Sequence, residues 1–351
     1  MLPPRSLPLF LATAAVTGAA EPLAWEKLAP LPDEHGVAGA YAGTTGGALL
    51  VAGGANFPRG FVPGGAGKTW HDTVWILPSP TGQWITAGKL PRPLGYGVSV
   101  THGGSVVCAG GSDAAGHHAD VFRLTWKDGA LATQTLPALP TPLALAAGAL
   151  VGDTLVISGG CAQPGEKAAS ADTWALDLAE PAATWRKLAP LPSDARFLAT
   201  AAADDGHFYL FGGASLAPDG GKTKRVYRRD AWKFSLKGNK WRQLADAPAP
   251  VVAAPSPAPW LGRAFHVIGG DDGSLVGFAP VEKHPGFPGA IFAYAPAENS
   301  WTTPGRTPAP RATAPTAEWQ GAWIIPSGEV RPGLRSPDVW RLTPAAPQKK
   351  P

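Results

Sequence analysis

The chain has 351 residues, among them 44 Gly, 39 Pro and 14 Trp, with 44 % hydrophobic and 16 % charged residues and a formal net charge of +4. Glycine and proline at this level approach those of low-complexity chains, but the apolar and aromatic content is enough to offset the entropy of ordering, which excludes disorder. Long helices and coiled coils are excluded by the same punctuation, and a mild positive charge without a basic run interleaved with aromatics argues against nucleic-acid binding.

In chain order, residues 1–20 read as an export signal: one charge at Arg5, an apolar stretch from Leu7 to Val16, and small residues Gly18, Ala19 and Ala20 before Glu21. The stretch is too short to span a bilayer, and no other apolar run of spanning length follows. An exported protein without a membrane span, periplasmic or extracellular, is therefore expected to begin near Glu21.

Next comes Trp25-Glu-Lys-Leu-Ala-Pro-Leu-Pro32, a strand followed by a proline-rich turn with no unit before it to which it belongs. Strand-like runs ending in a glycine pair then recur at Gly53-Gly54, Gly110-Gly111, Gly159-Gly160, Gly212-Gly213 and Gly269-Gly270, with a degenerate copy at Ser327-Gly328. Their spacing is close to the ~50-residue period of kelch repeats. After each pair a loop of variable length leads to a third-strand signature, of which Asp72-Thr-Val-Trp75, Asp172-Thr-Trp174, Asp230-Ala-Trp232 and Asp338-Val-Trp340 are the clearest. Further tryptophans, Trp84, Trp185, Trp241 and Trp301, mark fourth strands.

The last unit stops after Trp340-Arg-Leu-Thr343 without a fourth strand, so the strand at Trp25 is expected to complete it. The expectation is an all-β, six-bladed kelch-type β-propeller over residues 21–344, closed by the N-terminal strand, with 345–351 a disordered tail. Cys108 and Cys161 lie beside glycine pairs of neighbouring repeats. Equivalent positions on adjacent repeats are far apart for the ~6 Å Cα separation of a disulfide, and buried free thiols are the expected state.

Loops entering first strands and leaving second strands gather at one mouth of a propeller. The entries carry Arg92, Arg196 and Arg311, and guanidinium groups on one ring suit a carboxylate ligand; the alternative is that they cap carbonyls or pair with acids such as Asp194. Among the exits, Ala55-Asn56-Phe57-Pro58-Arg59 opens a long loop, and Ser327-Gly328-Glu329-Val330-Arg331-Pro332-Gly333-Leu334-Arg335 places one carboxylate and two arginines on a tight turn. Glu329 there suits a proton shuttle, or alternatively a surface ion pair. The eight histidines show no zinc-ligand spacing, and neither a phosphate-cradling loop nor a nucleophile elbow occurs, so no metal or cofactor is expected.

Gly53-Gly-Ala-Asn-Phe-Pro58, Leu94-Gly-Tyr-Gly-Val-Ser99 and Gly328-Glu-Val-Arg-Pro-Gly-Leu-Arg335, set on six kelch units, resemble the bacterial N-acetylneuraminate epimerases, or sialic acid mutarotases. The order of the units resembles that of the cyclically permuted subgroup. The resemblance implies an isomerase that interconverts anomers of sialic acid or a related small acidic sugar by opening and reclosing the ring, without metal or nucleotide. It implies Glu329 as proton acceptor, with Arg335, Arg331, Arg196, Arg311, Arg92, Asn56 and Arg59 as substrate-binding residues. Position 331 is Arg where the family also uses Lys, and the loop after Asn56 departs from the family pattern. Two alternatives share these features: an exported propeller that binds an anionic glycan without turnover, and a protein-interaction propeller.

Overall fold

The structure, a computed structural model, describes residues 22–60, 67–165 and 167–345. The export signal over 1–20 and the tail beyond 345 lie outside the described residues. The fold is all-β, built of small antiparallel sheets, and is consistent with a β-propeller.

Among the described residues, six four-stranded sheets follow one another along the chain. The first runs Tyr41–Thr45, Ala48–Ala52, Thr73–Leu77, Ile85–Lys89; the second Val98–His102, Ser105–Ala109, Val121–Lys127, Ala130–Thr135; the third Ala147–Val151, Thr154–Ser158, Thr173–Asp177, Arg186–Leu188. The fourth runs Thr200–Ala203, His207–Phe211, Ala231–Ser235, Lys240–Gln243, and the fifth Trp260–Leu261, Ala264–Ile268, Ala290–Ala295, Ser300–Arg306. The sixth takes Ala317–Trp319, Ala322–Pro326 and Val339–Pro344 from the C-terminal end of the chain, and its fourth strand is Leu23–Leu28, with Leu23 opposite Pro344 and Leu28 opposite Val339.

Burial explains why second strands are mainly apolar while fourth strands are not. Ala48–Ala52 and Ser105–Ala109 are buried at every position because both faces of their sheets are covered, whereas Ala130–Thr135 is largely exposed. The covering faces are those of neighbouring sheets: Tyr41 and Leu50 of the first pack with Val106 and Phe122 of the second, and Ala149 and Val156 of the third with Phe208 and Trp232 of the fourth. Leu49 and Trp75 of the first pack in turn with Trp319 and Ile324 of the sixth. Tryptophans at the fourth strands tie the first, third, fourth and fifth sheets to their predecessors, since Trp84, Trp185, Trp241 and Trp301 donate their indole N–H to the carbonyls of Ala29, Pro137, Ala189 and Ala245 at 2.8–2.9 Å.

The glycine pairs are required by approach of the next sheet. A Cβ on Gly53 would lie 2.3 Å from the Leu94 carbonyl oxygen, and one on Gly212 would lie 2.2 Å from that of Val251, both at positive φ. The second glycine of each pair donates its N–H to that same carbonyl, as Gly54 does to Leu94 and Gly213 to Val251. Ser327 keeps the left-handed conformation (φ 57°) of the glycine it replaces, and its hydroxyl accepts the Val37 N–H at 2.7 Å while Gly328 donates to the Val37 carbonyl. The apparent degeneracy at Ser327 is thus an extra tie between the sixth and first sheets.

One residue just before each first strand joins a ring of backbone hydrogen bonds. Tyr96 donates to Gly39, Leu145 to Tyr96, Leu198 to Leu145, Ala253 to Leu198, Thr313 to Ala253 and Gly39 to Thr313, at 2.6–2.8 Å. All six have φ between 51° and 67°. Both cysteines are free and buried, and burial pushes the Cys161 thiol up to about 11.

Candidate functional site

Short secondary hairpins follow the second strands and stand around one end of the ring. One pairs Ala55–Asn56 with Thr69–Trp70, another Ala214–Asp219 with Lys222–Tyr227, and a third Glu329–Arg331 with Leu334–Arg335. They enclose a cavity of about 680 Å³ whose base is formed by Tyr96, Leu145, Leu198, Ala253 and Thr313 of the ring. This is the size range of small-molecule sites.

The third hairpin supplies one of the cavity's carboxylates and its most buried cation. Pro332 and Gly333 (φ 80°) turn the chain so that Glu329 lies opposite Arg335 in the register. Glu329 Oε1 accepts the Gly333 N–H at 2.7 Å and lies 3.4 Å from Arg335 Nη1, while no described residue hydrogen-bonds Oε2. Arg335 is only 8 % exposed, lies with its guanidinium carbon 4.6 Å from the centre of the Phe57 ring, and reaches Tyr96 Oη at 3.4 Å through Nη2. Its Nε and Nη1 have no hydrogen-bond partner. Buried donors are almost always satisfied, and here Nη1 has only the longer ion-pair contact with Glu329 while Nε faces no acceptor among the described residues.

Residues not anticipated from the sequence complete the wall. Lys68 Nζ lies 4.5 Å from the centre of the Trp70 ring and 4.3 Å from that of Tyr96. Arg225 and Asp271 line the far side, where Tyr227 donates to Asp271 at 3.1 Å; burial and the Asp271 charge push the Tyr227 phenol up. His117 also lines the cavity, and burial together with neighbouring His118 holds its imidazole below the ordinary range. Among the described residues, no cluster of His, Cys, Asp or Glu is arranged to hold a metal.

Of the substrate-binding residues expected from the sequence, only Arg335 joins Glu329 in the cavity wall. Arg196 is fully buried with all five N–H donors used: two bonds at 2.8 Å to the Asp230 carboxylate, and one each to Ser193 Oγ and the Asp194 and Gly212 carbonyls. Arg311 is buried against the carbonyls of Ala309, Ser327 and Asp338, and burial pushes its guanidinium down to about 10. Arg92 faces His118 and Asp120, Arg331 donates to the Glu282 carbonyl, and Arg59 lies exposed in a turn. The Asn56 amide is held by Asp33, Gly36 and His71. None of these six side chains lines this cavity.

The aspartate of the third-strand signature draws two of them, Arg196 and Arg92, away. In the fourth sheet that residue is Asp230, paired with Arg196; elsewhere Lys89 takes Asp72, Lys187 takes Asp172 and Lys27 takes Asp338. Burial alone would raise the Asp230 carboxyl, but hydrogen bonds and charge from Arg196, with Trp232 Nε1 and Arg228, outweigh it and leave it below the usual carboxylate range. A depressed carboxyl contributes stability that is complete above the unfolded value of about 4 and is lost as pH falls through the folded value. Urea midpoints at pH 7 and pH 3 are therefore expected to lie closer together for Asp230→Asn than for the unaltered chain, with the variant weaker at pH 7. An unchanged difference between the two midpoints would show that this pair is not a source of acid sensitivity.

A family model described as N-acetylneuraminate epimerase matches residues 11–133 and 136–277. Curated N-acetylneuraminate epimerases of Brucella suis and Brucella melitensis are 38 % identical to this chain over 126 residues, and that of Salmonella enteritidis is 40 % identical over 125. Each match takes in 31 % of this chain and spans 32 % of the relative's length. The Glu329–Arg335 hairpin lies beyond the span of the family match.

Proposed function

Since the chain belongs to the N-acetylneuraminate epimerase family, we propose that it interconverts the anomers of N-acetylneuraminate or a related acidic sugar. The observation that carries this reading is the juxtaposition of Arg335, buried with Nε and Nη1 unsatisfied, with Glu329, whose Oε2 is left unbonded. Arg335 takes the substrate carboxylate, as a planar guanidinium does best. Glu329 Oε2 takes the proton of the anomeric hydroxyl while the ring oxygen gains one, the ring bond breaks to give the open-chain keto acid, and reclosure on the other face reverses both transfers. The barrier falls because the groups are prepositioned.

The six sheets are read as six blades of a closed kelch propeller over residues 21–344. Support comes from the pairing of Leu23–Leu28 with the last sheet, the packing of the sixth sheet on the first, and the backbone ring that returns to its start. A permuted order of blades fits the short spans over which the curated relatives align. Residues 1–20 are proposed to direct export, placing the site where free acidic sugars arrive from outside the cell.

Anomer equilibration of freshly released N-acetylneuraminate, followed by NMR, tests the reading. Addition of the protein is expected to raise the rate above that in buffer at substoichiometric amounts. Saturable binding of the sugar with no acceleration would instead identify a glycan-binding module, for which the Lys68–Trp70–Tyr96 platform is suited.

A further inference from the structure

The ring oxygen of the sugar must gain a proton as the anomeric hydroxyl loses one, and Glu329 is poorly placed to do both. Its Oε1 is occupied by the Gly333 N–H and faces Arg335, which leaves a single oxygen for transfer. Resting on the reading above, we infer that Tyr96 is the second catalytic residue and that its phenol supplies and recovers the proton of the ring oxygen.

Tyr96 stands at one of the six positions of the backbone ring, where the others are Gly39, Leu145, Leu198, Ala253 and Thr313. It is the one phenol among them. A left-handed conformation (φ 62°) at a large aromatic residue is unusual, and here the backbone ring and the neighbouring Gly39 hold it. A Cβ on Gly39 would come within 2.6 Å of Tyr96 Cδ1, so that glycine makes room for the phenol ring. Around Tyr96 are Arg335, which reaches its hydroxyl, the Lys68 ammonium over its ring, and the edge of Trp70 at a centroid distance of 5.6 Å. Among the described residues none takes the Tyr96 hydroxyl proton, and Tyr96 lines the cavity.

As the bond between the anomeric carbon and the ring oxygen breaks, its electron pair goes to the ring oxygen, which takes the Tyr96 proton. The electrons of the anomeric O–H bond form the carbonyl, and that proton goes to Glu329. Charge developing on Tyr96 Oη is met by Arg335 and Lys68. Reclosure on either face reverses both transfers, so the enzyme and the proton count are unchanged.

Tyr96→Phe keeps the ring, its cationic neighbours and its backbone conformation but removes the proton. The variant is expected to lose about 10²-fold or more in kcat, the contribution of one positioned acid, with KM unchanged. Replacement of Tyr96 by 3-fluorotyrosine, a more acidic phenol of nearly the same size, is expected to move the alkaline limb of the rate–pH profile to lower pH, a shift that a packing role would not produce. Full activity in Tyr96→Phe, a loss confined to KM, or an unmoved alkaline limb in the fluorinated protein each overturns the assignment. If Tyr96→Phe fails to fold, the fluorinated protein alone decides. An unaltered chain without acceleration overturns the anomer-exchange reading and this role with it, whereas an active chain whose Tyr96→Phe variant is equally active overturns this role alone.

Discussion

Glu329→Gln is expected to slow catalysed anomer exchange by about 10²- to 10⁴-fold, the range that a positioned proton-transfer group contributes. The amide keeps the shape of the side chain and still accepts the Gly333 N–H that bonds Glu329 Oε1 at 2.7 Å, so the hairpin is retained. What it loses is a basic oxygen in the cavity. Removing the negative charge also frees Arg335, whose Nη1 lies 3.4 Å from the carboxylate, and binding of the acidic sugar is expected to be as tight or tighter. NMR equilibration rates together with calorimetric titration of the sugar separate the two effects. A variant that binds and turns over like the unaltered protein removes Glu329 from the mechanism.

Arg196→Ala is expected to cost about 3–5 kcal/mol of stability, the penalty for leaving one member of a buried ion pair without its partner. Asp230 would keep its Trp232 hydrogen bond but lose both bonds from the guanidinium, and the Gly212 and Asp194 carbonyls would lose a donor each. Because Arg196 does not line the cavity, KM for the sugar is expected to hold at temperatures where the variant remains folded. Chemical denaturation followed by tryptophan fluorescence, read alongside KM, checks both. A stable variant with a raised KM would return Arg196 to the binding site.

The contrast between these two residues marks what the sequence reveals and what it conceals. The repeat of glycine pairs marks the spacing of the sheets, and at Gly53, Gly110 and Gly212 a carbonyl 2.2–2.3 Å from where a Cβ would be leaves room for glycine alone. Likewise, a lone strand motif at Trp25 and a missing one after Thr343 identify each other, and here Trp25 lies opposite Leu342 in the register. Glu329 and Arg335 are legible because a Pro-Gly turn between them forces the two side chains together.

For Arg196 and Arg311 the sequence shows the residue but not which way its side chain turns. Each stands two positions before a ring residue, and the side chain's direction depends on the left-handed turn that follows at Leu198 or Thr313, a sign of φ that those residue types do not announce. The repeated aspartates were the available clue, since Asp230 captures Arg196 as Asp72 and Asp172 capture lysines. Tyr96 was hidden in the opposite way. Glycines at 95 and 97 flank it and signal an unusual backbone, but the cations that face it come from Lys68 and Arg335, far away in the chain.

The six backbone bonds beneath the cavity have an electrostatic consequence. Each N–H points at the carbonyl of the preceding sheet's ring residue, in one rotational sense, and the last returns to the first. Arranged head to tail around a circle, the tangential dipoles cancel, unlike those of a helix, which add along its axis. The ring's own N–H groups are all taken by its C=O groups and leave none of these donors to offer a ligand. The floor of the cavity is therefore a neutral plug, and a sugar resting on it is oriented by the rim side chains, which can change from one relative to another without disturbing the hub on which the sheets converge.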